Sequence, residues 1–142
     1  MEEYEKIYYE ANSFLQAANM LYSEENKLYG WFNPILYPTI VNISFSCELF
    51  LKCLLVENKL PAKGHNLKEL FDRLDNEQKQ QIEKRTKTTD FDTILEIHSD
   101  YFVNFRYFHE KSEEISIVNL SFMFSFANSL KSVIKESIWW KK

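Results

Sequence analysis

Apolar residues recur along this chain at helical rather than strand spacing. Tyr4, Tyr8, Ala11, Leu15, Ala18 and Tyr22 follow one another at intervals of three and four, which puts them on one face of a helix over about residues 2–27. Gly30 and the pair Asn33-Pro34 end it, in a loop that carries Trp31 and Phe32. Asn33 can cap a second helix with Pro34 at its first position, and Pro38 is the alternative start; regular helix is predicted over about 38–58. This helix is apolar nearly all round (Ile40, Val41, Ile43, Phe45, Cys47, Leu49, Phe50, Leu51, Leu54, Leu55), so it belongs in the middle of a bundle or at a subunit interface. After a loop at 59–64, Asn66-Leu67-Lys68-Glu69 has the form of a capping box and opens a short helix through Leu74. Asp75 caps a polar helix to about 86, anchored by Ile82, and residues 86–90 read as the loosest part of the chain. Asp90 caps a further helix to about 110, whose core face carries Phe91, Ile94, Leu95, His98, Phe102, Phe105 and His109. A break near 111–114 precedes the last helix, about 116–140, with one apolar row of Ile117, Leu120, Phe124, Ala127, Leu130 and Ile134 and a second of Phe122, Phe126 and Val133.

Composition points the same way. Two glycines and three prolines in 142 residues are too few turn formers for a sheet or barrel, whereas a few long helices need little more. The fold class is therefore all-α: an antiparallel bundle of four to five main helices plus one short one, in a single domain over 1–142. A net charge of −4 argues against a duplex-DNA partner, which would call for a basic face. Cys47 and Cys53 sit six apart in an apolar run and read as core filling in a reducing compartment. No basic segment leads into an apolar one near Met1, so no signal peptide is expected. The most apolar stretch, 115–127, is short and interrupted by Ser116, Asn119, Ser121 and Ser125. Such a stretch does not span a membrane, and a cytoplasmic protein with no membrane partner is expected.

Few residues carry candidate chemistry. Glu48 and Lys52 lie one turn apart on the same apolar stripe as Val41, Phe45 and Leu55, and a carboxylate rising from such a surface needs a partner. Arg106, His109 and Glu110 cluster on one helix edge, where an Arg can hold a phosphate while a His moves a proton; the same triple can equally lock a helix end to its neighbour. His98, on the core face, reads as a hydrogen-bonded core residue. His65, after Gly64 and before the Asn66 cap, reads as closing that loop against the bundle. The three His and two Cys match no metal-ligand spacing, no Gly-rich phosphate loop or nucleophile elbow is present, and neither a metal nor a cofactor is expected. Trp139-Trp140 reads as packing across a bundle end.

Three segments resemble the HEPN domain family. They are Cys47-Glu-Leu-Phe-Leu-Lys-Cys-Leu-Leu55, Gly64-His-Asn-Leu-Lys-Glu-Leu70 and Phe105-Arg-Tyr-Phe-His-Glu110, the last similar to an Arg-Tyr-x-x-Glu ending found in one branch. The resemblance implies a four- or five-helix bundle, commonly a dimer, tied to toxin–antitoxin, antiviral or stress systems. Active members are metal-independent endoribonucleases with an Arg followed after four to six residues by a His. That motif is absent here, because His109 follows Arg106 by three. Two readings follow. One is a non-catalytic or degenerate module that binds nucleotide, RNA or a partner protein. The other is an endoribonuclease in which Arg106 and His109 from two subunits line a cleft. A homodimer is expected, as is one charge network of Glu48, Lys52, Arg106 and Glu110, with His65 and Asn66 on the adjoining loop.

Overall fold

The computed structural model describes residues 1–22, 35–100 and 118–139. Helix α1, Glu3–Leu21, buries Tyr8, Ala11, Leu15 and Ala18, the stripe expected from spacing. Glu3 and Glu5 sit in its first turn, where unpaired amides favour negative charge. Helix α2, Leu36–Glu57, begins slightly earlier than expected. Pro38 is its third residue, where the missing amide has no intrahelical acceptor to serve, so the helix runs through it. The alternative start at Asn33-Pro34 lies outside the described residues.

The two helices pack antiparallel, as their pairings show. Phe14 meets Phe45 edge-on at 4.7 Å, Ser46 donates to the Ala11 carbonyl at 2.8 Å, Tyr8 lies on Phe50, and the Cys53 thiol donates to the Tyr4 carbonyl. Both cysteines are free and buried; burial pushes the Cys53 thiol up to about 12 and raises that of Cys47 as well, so neither ionises near neutrality.

Short helices follow: α3, Leu67–Asp72; α4, Asn76–Arg85; and α5, Phe91–Ile97. Helix α6, Leu120–Ile134, continues into a π-helical turn, Lys135–Trp139. α2 is central, packed on α1, α3 and α6, while α4 lies along α6 and α3 on α5. Phe71, Phe91, Phe122 and Phe126 join α3, α5 and α6, with ring centroids 5.1 to 6.2 Å apart. No strand occurs among the described residues, and the molecule is an all-α bundle. α2 is long and apolar enough to cross a membrane, but 72% of its apolar window is buried inside the bundle, as in the core helix of a soluble protein.

Three local expectations are corrected. The helix expected over 90–110 ends at Ile97, where Ser99 Oγ takes the Leu95 carbonyl that a continuing helix would use and the Ser99 amide turns to the Glu96 carbonyl instead. Asp90 is not a side-chain cap; it adopts a left-handed conformation, φ +53°, and α5 starts without one. Residues 86–90 are not loose throughout, since Thr86 is buried and hydrogen-bonded to Ser129, and the Lys87 amide donates to Ser125 Oγ. Phe102, Phe105 and the break at 111–114 lie outside the described residues.

Candidate functional site

The stripe of α2 that carries Ser44, Glu48 and Lys52 at four-residue spacing runs beneath the loop between α2 and α3. Glu48 is 1% exposed, which a carboxylate tolerates only with partners. Its Oε2 accepts from Lys52 Nζ at 3.1 Å and from His65 Nδ1 at 3.1 Å. Its Oε1, and Ser44 Oγ one turn earlier, are buried without a hydrogen-bond partner among the described residues.

The loop is shaped to bring His65 over this carboxylate. Leu60 returns its amide to the Leu55 carbonyl at 2.8 Å, so the chain turns back immediately after α2. Arg73, from the end of α3, donates through Nη1 to the carbonyls of Pro61 and Lys63 at 3.2 and 2.8 Å, pinning the outgoing strand of the loop. Gly64 then adopts φ +106°, a conformation an L side chain rarely takes, and His65 follows. Asn66 caps α3 through Oδ1 to the Glu69 amide at 2.9 Å, and its Nδ2 donates to Asp100 Oδ1 at 3.0 Å. The end of α5 completes the α3 N-terminus: the Leu67 amide meets the Ser99 carbonyl at 3.1 Å and the Lys68 amide meets Ser99 Oγ at 3.0 Å.

The result is a buried carboxylate whose single oxygen holds an ammonium and an imidazole within about twice a hydrogen-bond length of each other. With Nδ1 donating to Glu48, the ring meets the rest of its surroundings through Nε2. The His65 side chain is 58% exposed and that of Lys52 19%, while their anchor is buried. Around them the segment 58–68 carries Lys59, Lys63, His65 and Lys68 and no acidic residue. Lys68 is engaged with Asp72 at 2.7 Å, which raises its pKa, and Lys63 is exposed.

A model of the HEPN domain matches residues 4–136. The chain belongs to the HEPN family. A search of curated proteins found no match, and neither did a search of solved structures. HEPN domains are nucleotide-binding or RNase-like helical modules, and the matched span contains every candidate residue named above.

Of the expected charge network, Glu48 and Lys52 are paired as predicted; Arg106 and Glu110, like His109, lie outside the described residues. His65 and Asn66 are on the loop as expected. Sequence reasoning missed the bond from His65 to Glu48, which had one sequence signal: a buried carboxylate has more acceptor capacity than one Lys can fill. It also missed Arg73, because a clamp on backbone carbonyls leaves no trace in spacing. Among the described residues no three His, Cys, Asp or Glu side chains converge into a metal site.

Proposed function

We propose that this HEPN chain is a phosphate-recognising module that binds nucleotide or single-stranded RNA at Lys52 and His65, with Lys63 at the rim. The observation that carries the reading is the shared anchor: one Glu48 oxygen fixes both Lys52 Nζ and His65 Nδ1. Lys52 Nζ and, in the imidazolium form, His65 Nε2 can address two oxygens of one phosphate, at little further cost in side-chain entropy. The acid-free loop adds a local basic field to a chain whose overall charge is negative, which suits a short or single-stranded ligand better than a long duplex. Within this reading the setting is a toxin–antitoxin, defence or stress system, the company in which the family commonly occurs, and the working form is a homodimer.

Anisotropy of a labelled single-stranded RNA and calorimetry with GTP and ATP test it. Wild-type protein should bind, and Lys63→Ala should weaken RNA binding and flatten the slope of log K against log salt by about 0.7. Binding that is indifferent to Lys52→Gln, His65→Asn and Lys63→Ala together would refute the assignment.

A second reading starts from the sequence, in which Arg106 and His109 pair a phosphate-holding group with a proton-transfer group. An endoribonuclease using Arg106 on the phosphate and His109 for proton transfer would cut RNA in EDTA and lose activity in Arg106→Ala and His109→Ala. The expected result is intact RNA, since the Arg-to-His spacing of active members is missing.

A further inference from the structure

The outer face of α6 carries hydrogen-bond donors in a row. Ser125, Asn128 and Ser132 follow at three- and four-residue spacing, with Lys131 and Lys135 beside and beyond them. Two hollows of about 390 Å³ each lie along this face. Arg85 and Lys87 border one, Lys131 and Lys135 the other, and both are lined by Asn128 and Ser132. They therefore form one groove, about 15 Å long from Ser125 to Lys135 at the helical rise. No residue of the Lys52–His65 site lines it. Ser125 Oγ accepts from the Lys87 amide at 2.8 Å, and Ser132 Oγ accepts from Arg85 Nη1 at 2.6 Å. Among the described residues neither hydroxyl proton has an acceptor, so both remain to be donated. Asn128 spends one N–H on the Phe124 carbonyl and keeps the other. The one carboxylate in the groove, Glu136, is held by Arg85 at 2.6 Å, which lowers its pKa.

We propose that this groove holds the backbone of a single-stranded nucleic acid, with its phosphates against Lys87, Lys131 and Lys135 and their oxygens on the Ser125 and Ser132 hydroxyls. Among the described residues, none of the three lysines has a carboxylate within ion-pair reach. Lys131 and Lys135 stand one turn apart, a like-charge spacing that disfavours the helix. Partial burial, and then Lys135, hold the Lys131 pKa below the ordinary lysine value. An anion seated between the two ammoniums removes their repulsion, and hydroxyls beside them supply the neutral donors that phosphate oxygens accept. The lining also argues against a protein in this groove. No apolar side chain among the described residues lines either hollow, whereas the centre of a protein interface is apolar. No aromatic ring borders it either, so bases have nothing to stack on, and the groove reads phosphate and not sequence.

That the strand is RNA rests on the function proposed above; the match of the groove to phosphodiester does not. The test therefore reads the two sites separately. In a titration of the full chain with a uridine hexanucleotide, followed by NMR, the Asn128 side-chain amide and the backbone amides from Ser125 to Lys135 should shift. They should shift equally in Lys52→Gln/His65→Asn/Lys63→Ala, a protein in which the other site is disabled. Shifts confined to Lys52 and His65 would overturn the groove and leave the first site standing; shifts confined to α6 would do the reverse. Anisotropy with uridine and adenosine dodecanucleotides supplies the energetics. Replacing Lys87, Lys131 and Lys135 by Gln should weaken both equally and flatten the slope of log K against log salt by about 0.7 for each lysine removed. Ser125→Ala with Ser132→Ala removes donors without charge, and should weaken binding by about tenfold at an unchanged slope. An unchanged slope in the lysine variant, or a preference between the two sequences that the lysine variant abolishes, would overturn the proposal. So would sedimentation in which the lysine variant loses self-association while its RNA affinity is intact, which would give the face to an acidic surface of a second copy.

Discussion

Glu48 is a buried carboxylate, and the consequences of altering its surroundings differ by partner. Lys52→Ala leaves a buried carboxylate with one ring nitrogen, and breaking a buried pair in this way costs about 3–5 kcal/mol. Urea unfolding should show that loss, against about 0–1 kcal/mol for breaking the exposed pair Lys68–Asp72. The orphaned Oε1 gives the wider charge network a sharp test. If Arg106 serves Glu48, a double-mutant cycle of Glu48→Gln with Arg106→Ala should return a coupling of about 0.5–3 kcal/mol; additive losses would separate them. His65 illustrates why part of the site was invisible in the sequence. Glu48 and Lys52 are one turn apart, and helical periodicity reads them directly, but His65 reaches Glu48 only because Arg73 and Gly64 bend an irregular loop. Gly64→Ala should cost about 1–2 kcal/mol for the left-handed backbone and loosen His65. A Cβ there would come no nearer than 3.9 Å to the Arg73 guanidinium, so the penalty is conformational rather than a clash.

At the scale of elements, the stripes and the caps at Asn66 and Asp75 were legible, while the start and end of α5 and the start of α6 were not. The Asn66 and Asp75 caps, the Ile82 anchor of α4 and the buried face of α1 follow from residue type and spacing, and all are present. Periodicity overran the end of α5 because Phe102 and Phe105 continue the apolar row in sequence. At its end Ser99 Oγ takes the Leu95 carbonyl while the Ser99 amide bonds the Glu96 carbonyl, an effect of competition that a wheel does not represent. Asn119 went unnoticed for the opposite reason, since it lay inside an expected helix rather than before one. It caps α6 through Oδ1 to the Phe122 amide at 2.9 Å while its own amide meets His98. Asn119→Ala removes only the first of these bonds and should lower stability by about 0.5–2 kcal/mol, measured by thermal unfolding.

For the whole molecule, an apolar central helix among amphipathic ones was evident from the pattern, and so was the all-α class. The expectation that α2 presents apolar surface to a second copy is less direct, because α1, α3 and α6 already cover it within one chain. The exposed large apolar residues of α1 are Tyr9 and Met20, which share a face. Sedimentation velocity at micromolar concentration should give a dimer, and Tyr9→Ser with Met20→Ser should return it to monomer if α1 is the contact. The burial of α2 also has a consequence for how the chain is made. α1 can dock on α2 soon after both leave the ribosome, but α6 closes the other side and is synthesised later. At about 5–20 residues per second, the interval from Glu57 to Leu120 leaves an apolar span of membrane-crossing length half-covered for several seconds. During that window the nascent chain presents what a targeting factor or chaperone recognises, and a ribosome stalled before α6 should yield a product caught by one or the other.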